Sequence, residues 1–246
     1  KLGFWRLSLL RKLFMLFAAI GAMLAVCAWE LPPGILTCRR AAGLVMAPLD
    51  VFFLLDASGS ISEAGWLAEK AAATEMLDAF QRSYAGPAAG LRAGVAQFSS
   101  DASVEANLTS DIDEVKRRLN IKKQSSWGTH FGPALQACEA QLLQPGPGAA
   151  DAVSHAQVCV LLTDGAAGDG PEASKQKSLL RARGVDIMGI YVGSREDQET
   201  ALRLFVCGEQ NPCDWFARAA NFGELRKQSA HIARSIAQHA RGMDLS

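Results

Sequence analysis

No pair of cysteines stands at zinc-ribbon spacing, and no cysteine and histidine cluster, although the 246 residues include six cysteines and four histidines. A structural zinc site therefore has no ligands to draw on. Neither GxGxxG nor GxxxxGKS/T follows the first strand-like run, so the glycine cradle for a nucleotide phosphate is missing. The nucleophile elbow GxSxG of the α/β hydrolases is absent too. No internal repeat and no low-complexity tract occur, which removes solenoids and arrays from consideration. Net charge is also lacking, with 25 basic and 25 acidic residues, but this balance is uneven along the chain. Residues 1–48 hold six of the basic residues and one of the acidic ones, a balance of +5 that leaves −5 for the remaining 198. An acidic globular part offers no basic face to a phosphate backbone, so a nucleic-acid partner is excluded. The 49% apolar and 20% charged content is that of an ordinary folded protein, not of a disordered, collagenous or small disulfide-rich chain.

From Leu13 to Trp29 the chain runs seventeen residues without a charge, preceded by Lys1, Arg6, Arg11 and Lys12 and followed by Glu30 and the Pro32-Pro33 pair. As a helix it spans about 25 Å, the short end of a membrane crossing. A cleavable signal peptide has a shorter apolar core, although Val26-Cys27-Ala28 is a passable cleavage tripeptide. A buried core helix would show a polar face, and this run has none. The expectation is a basic flank, a single transmembrane helix and a linker over 1–48. Since the basic residues before the span outnumber those directly after it, the globular part is expected on the non-cytosolic side, extracellular or lumenal, an organelle membrane included.

Residues 49–246 alternate short β-rich apolar runs with longer amphipathic stretches, the pattern of an α/β sheet covered by helices on both faces. Strands are expected at Leu49 to Leu55, Leu91 to Phe98, Ser103 to Ala106 (a short edge), Gln157 to Thr163, Val185 to Val192 and Asp214 to Ala219. Helices are expected at Glu63 to Ser83, Asp111 to Leu119, Phe131 to Leu143, Pro171 to Arg183, Glu196 to Phe205 and Phe222 to Arg241. In an open sheet of this kind ligands bind beyond the carboxyl ends of the strands. There the first strand ends in Asp56-Ala57-Ser58-Gly59-Ser60, a later one in Thr163-Asp164-Gly165, and the loop before the Phe131 helix supplies Gly128-Thr129-His130.

These segments, DASGS, Thr129 and LLTDG, stand in the order found in von Willebrand factor type A domains, which the chain resembles over about residues 49–241. The resemblance implies a Rossmann-like, doubly wound, mostly parallel sheet with one antiparallel edge strand. It also implies a metal-ion-dependent adhesion site in which Ser58, Ser60 and Thr129 bind the ion through hydroxyls and Asp56 and Asp164 act directly or through water. Mg²⁺, or Mn²⁺ or Ca²⁺ in its place, is hard and suits such oxygens. With neutral hydroxyls filling much of its first shell, the ion keeps charge that an Asp or Glu of a protein partner neutralises.

Alternatives stand beside each residue. Ser60 or Ser62 could simply cap the helix that starts at Glu63. His130 would lie at the rim of the metal site or be an exposed loop histidine without function, and Trp127 either contacts a partner at the rim or packs. An aspartyl-phosphate enzyme would use Asp56 as nucleophile, but Ser58 stands where a second acid belongs and no acid/base partner replaces it, so no enzyme is expected. Cys207 and Cys213 bracket the turn-forming GEQNP and are expected to form a disulfide, Cys138 could pair with Cys38, and Cys159 and Cys27 are expected to be inert. Asn107-Leu108-Thr109 is a glycosylation sequon, of use only in the secretory pathway. The functional expectation is a membrane-anchored, adhesion-like module that recognises a protein partner through a divalent cation. The rival is an accessory subunit of a larger membrane complex, organellar or otherwise, that uses the same fold as a scaffold.

Overall fold

The computed structural model describes residues 48–85, 90–123, 127–143, 155–210 and 212–242. The expected span at 13–29, with Cys27 and Cys38, lies outside the described residues. No helix among the described residues is long and apolar enough to cross a membrane. The chain divides into two compact units, Lys1–Leu44 and Val45–Ser246, and every described residue belongs to the second.

The elements run β1 (Leu49–Asp56), α1 (Glu63–Ser83), β2 (Leu91–Phe98), β3 (Ala102–Thr109), α2 (Ile112–Arg118), α3 (Phe131–Leu142), β4 (Ala156–Thr163), α4 (Gly170–Ala182), β5 (Val185–Val192), α5 (Glu196–Cys207), β6 (Phe216–Ala219) and α6 (Phe222–Gly242). The six strands form one sheet in the order β3-β2-β1-β4-β5-β6. All pairings are parallel except that of β3 with β2. The order reverses at β1, so the crevice at a topological switch point opens between the carboxyl ends of β1 and β4.

Period-two alternation sorts each strand between two cores, because successive side chains point to opposite faces. Leu49, Val51, Phe53 and Leu55 of β1 join Val158, Val160 and Leu162 of β4 under Trp66, Met76, Leu77 and Phe80 of α1 and Leu225, Ile232 and Ile236 of α6. Phe52 and Leu54 join Cys159 and Leu161 on the other face, beneath Phe131 and Leu135 of α3, Leu180 of α4 and Leu202 and Val206 of α5. All eight residues of β1 are buried. At roughly 1.5–3 kcal/mol for each large apolar side chain, this central strand is a major source of stability. Gly94 is a close-approach position, since a Cβ there would stand 2.6 Å from the Phe52 ring and 3.0 Å from the Ala106 carbonyl oxygen.

Three boundaries differ from the expectation by two residues or more. β3 runs to Thr109 instead of stopping at Ala106, because its pairing with β2 resumes beyond an irregularity. β6 starts at Phe216, two residues late, since Asp214 and Trp215 form the turn that precedes it. α5 runs on through Val206 to Cys207, because Val206 packs on the second core and Gly208, with φ of 64°, ends the helix.

Candidate metal centre

Asp56 ends β1 and Thr163 ends the neighbouring β4, so parallel pairing brings their side chains together without help from the loops. Thr163 Oγ1 donates to Asp56 Oδ2 at 2.6 Å, and the Ser58 N–H donates to Asp56 Oδ1 at 2.8 Å, folding the DASGS segment back over its own carboxylate. Ser58 Oγ and Ser60 Oγ lie 2.9 Å apart. Ser60 Oγ in turn donates to Asp164 Oδ1 at 2.7 Å, spanning 104 residues of sequence. Ser62, not Ser60, caps α1, accepting from the Gly65 N–H at 3.1 Å. The cap, which was open to either serine, therefore falls to Ser62 and leaves the Ser60 hydroxyl to Asp164.

Thr129 reaches the same place from the loop before α3. A Cβ added to Gly165 would stand 3.9 Å from Thr129 Oγ1, and the Thr129 carbonyl accepts from the Gly168 N–H at 2.8 Å. Asp169 fastens this loop from the other side, its carboxylate accepting from the Phe131 and Gly132 N–H groups at 2.8 and 2.7 Å. The His130 ring is half-buried, with Nδ1 3.1 Å from the Ser100 carbonyl, and its edge lies against Gly128 and Gly168. Trp127 is wholly exposed, which overturns the packing alternative for it among the described residues.

Two residues beneath the loop escaped the sequence reading. Glu69 of α1 is fully buried, and its Oε1 accepts the Asp56 N–H at 3.0 Å while Oε2 has no partner among the described residues. Lys123 Nζ donates to the Ser58 carbonyl at 2.7 Å and also to the Ile61 carbonyl, holding the loop by its backbone. Glu69 was legible after all, because it lies on the apolar stripe Trp66, Ala72, Ala73, Met76, Leu77, Phe80 of α1, where an acid needs a reason. Lys123 gave no comparable signal.

Burial pushes the Asp56 carboxyl up to about 6; the hydrogen bonds from Thr163 and Ser58 oppose this, and the Asp164 charge adds to it. Glu69 is raised well above the usual carboxylate range, by burial first and then by the Asp56 charge, with the Asp56 N–H and Lys123 pulling the other way. Glu69 thus feels the Asp56 and Asp164 charges against that of Lys123. Among the described residues no group of three or more His, Cys, Asp or Glu is arranged to hold a metal. A cation here would depend on hydroxyls as much as on carboxylates. The residues fit a hard divalent ion: every donor is oxygen, the local charge is acidic, and one buried carboxylate oxygen is unpaired.

Cys207 and Cys213 form a disulfide with Cα atoms 6.0 Å apart, at the far end of α5. Cys138 is buried and free, hydrogen-bonded to the equally buried Cys159. That placement corrects the suggested pairing with Cys38: the Cys138 thiol points into the second core.

The sequence model of the von Willebrand factor type A domain matches residues 50–230. The human collagen alpha-6(VI) chain is 30% identical over 190 residues and the human collagen alpha-5(VI) chain 32% over 191, each match covering 76% of this chain. The matched stretches span only 8% and 7% of those two proteins. Among solved structures, proximal thread matrix protein 1 of the mussel byssus, with a zinc-occupied MIDAS motif, superposes with a TM-score of 0.66 at 19% identity, over 78% of this chain and 48% of that one. The manganese-loaded TRAP protein of Plasmodium vivax gives 0.59 at 18%, over 77% and 74%. With the family's sequence model matching 181 of the 246 residues and the fold agreeing, the chain belongs to the von Willebrand factor type A domain family.

Proposed function

We propose that this chain is a membrane-anchored, adhesion-type module that binds an acidic protein partner through a divalent cation held by Asp56, Ser58, Ser60, Thr129 and Asp164. The observation that carries the reading is the hydrogen-bonded run from Ser58 through Ser60 to Asp164, which joins the ends of β1 and β4 in oxygen donors alone. Zinc in the mussel protein and manganese in the Plasmodium protein support a divalent ion in a domain of this fold. Mg²⁺ is the ion this donor set suits, with Mn²⁺ or Ca²⁺ as substitutes. When bound, the ion supplies a positive charge that a partner's Asp or Glu neutralises.

The chain's own groups do the rest. Lys123 and Glu69 fix the loop backbone, so the Ser58 and Ser60 hydroxyls are held ready before any ion arrives. Trp127, fully exposed, and His130, on the same loop, form the rim against which a partner packs. Asp56 is engaged by Thr163 and Ser58 and not directed at solvent, an arrangement for holding charge and not for nucleophilic attack, so the function is binding without catalysis. Residues 1–48 serve as anchor and 49–246 as the binding domain, on the non-cytosolic side. The Cys207–Cys213 disulfide supports that side, because disulfides persist in oxidising compartments.

The test is to extract the full chain from its membrane with its associated proteins and remove divalent ions. Loss of the partner on chelation, its return with Mg²⁺, and its absence from the Asp164→Ala chain are the expected results. Association that survives both chelation and Asp164→Ala contradicts the proposal and favours a scaffold subunit of a membrane complex.

A further inference from the structure

The sequence contains a single acceptor sequon, Asn107-Leu108-Thr109, and the fold places it on β3, the antiparallel strand at the open edge of the sheet. The local geometry is irregular. Ala106 lies opposite Val95 and Thr109 opposite Ala93, so three steps on β3 are set against two on β2, the count of a bulge. The Leu108 N–H leaves the ladder and donates to Gln141 Oε1 at 2.9 Å. Ala106 is buried in one core and Leu108 packs against the other, while Asn107 between them is exposed. The bulge thus presents the asparagine outward on β3, one of the two edge strands of the sheet.

Direction along the strand matters as well. Ala102 pairs with Phe98, whose carbonyl accepts from the Ala57 N–H beside the candidate metal centre. Asn107 is five residues further along an antiparallel strand, roughly 17 Å toward the opposite end of the sheet. A free edge strand is a template for pairing with other chains, and natural sheets cover such edges or break them.

We propose that Asn107 is an N-glycosylation site whose glycan covers the open edge of β3 while leaving the Asp56–Asp164 end free. The inference rests on the non-cytosolic placement above and not on the cation. In the transfer, the Asn107 side-chain nitrogen bonds to the anomeric carbon of an oligosaccharide carried on a lipid pyrophosphate. The bond from that carbon to the phosphate oxygen breaks, the lipid pyrophosphate leaves, and the amide nitrogen gives up one proton.

The test is expression of the full chain in a eukaryotic cell line, followed by intact mass and by the state of Cys207 and Cys213. The expected product is one glycan step heavier than the bare chain, and digestion with a peptide N-glycosidase brings it back to the bare mass plus the single mass unit by which the aspartate left at the acceptor position exceeds asparagine. Asn107→Gln and Thr109→Ala abolish the step, and Thr109→Ser keeps it. Digestion of the folded chain leaves Mn²⁺ affinity unchanged and increases self-association. An unmodified chain with the Cys207–Cys213 bridge closed overturns the acceptor assignment, and an unmodified chain with free thiols overturns the compartment on which it depends. A glycan that survives Asn107→Gln overturns the choice of residue.

Discussion

Ser60 and Ser62 sit two residues apart on one turn and serve different partners, the first Asp164 and the second the Gly65 N–H. Their single substitutions should therefore separate cleanly. Ser62→Ala is expected to cost about 1 kcal/mol of stability through the lost cap and to leave divalent-ion affinity unchanged. Ser60→Ala should weaken ion binding with little effect on the melting temperature in chelator. Equal effects from both would mean that the loop is held by its capping alone. The buried acids make a second residue-scale prediction. Because the Asp56 carboxyl is raised from 3.8 to about 6 in the fold, the folded state takes up a proton there before the unfolded chain does. The sign follows: without divalent ions this stabilisation, up to roughly 3 kcal/mol, is complete below the lower value and is lost as pH rises through the higher. Glu69, raised in the same direction, extends the trend. Melting curves in chelator should fall with rising pH across this window, less steeply in Asp56→Asn; a stability that rises with pH there would contradict the burial of these acids. The five residues proposed as ligands could be singled out because each stands at a strand end or in a loop beside one. Thr163 was read only as the end of a strand and not as a partner of Asp56, and Lys123 was missed because its contacts are to carbonyls 62 and 65 residues away, which no local spacing announces.

At the level of elements, the two cores explain why the strands were legible in outline. β1, β4 and β5 are buried on both faces and read as continuous apolar runs, so their positions followed from hydrophobicity. The edges were harder. β3 is half-buried and bulged, and its exposed Asn107 broke the apolar signal that marked only its first half. β6 is four residues long, and the residues before it belong to a turn. Two substitutions test the packing. Gly94→Ala forces the Phe52 ring and the Ala106 carbonyl aside and should cost about 1–3 kcal/mol, read from denaturant midpoints at unchanged slope. Cys207→Ser opens a short loop whose closure contributes about 2 kcal/mol by the chain-entropy account, so a matching drop in stability is expected under non-reducing conditions. No change would mean that α5 and β6 hold the turn unaided.

Across the whole molecule, charge divides the work: a +5 flank and apolar run over 1–48 and a −5 body beyond it. The net negative charge of the body disfavours acidic partners, and under the proposal the cation is what draws a carboxylate ligand to one end of the sheet. On the topology proposed from the basic flank, protease added outside sealed vesicles of known orientation should cut the body and the N-terminal tail from opposite sides. Cutting of both from one side would contradict the placement. The central claim is the cation itself, and it is met most directly by calorimetric titration of Mn²⁺ and Mg²⁺ into the folded body from Val45 onward. Saturable binding of one ion per chain, abolished by Asp56→Ala and by Asp164→Ala with circular dichroism unchanged, is the predicted result, whereas a folded body that gives neither heat nor a higher melting temperature with either ion would contradict it.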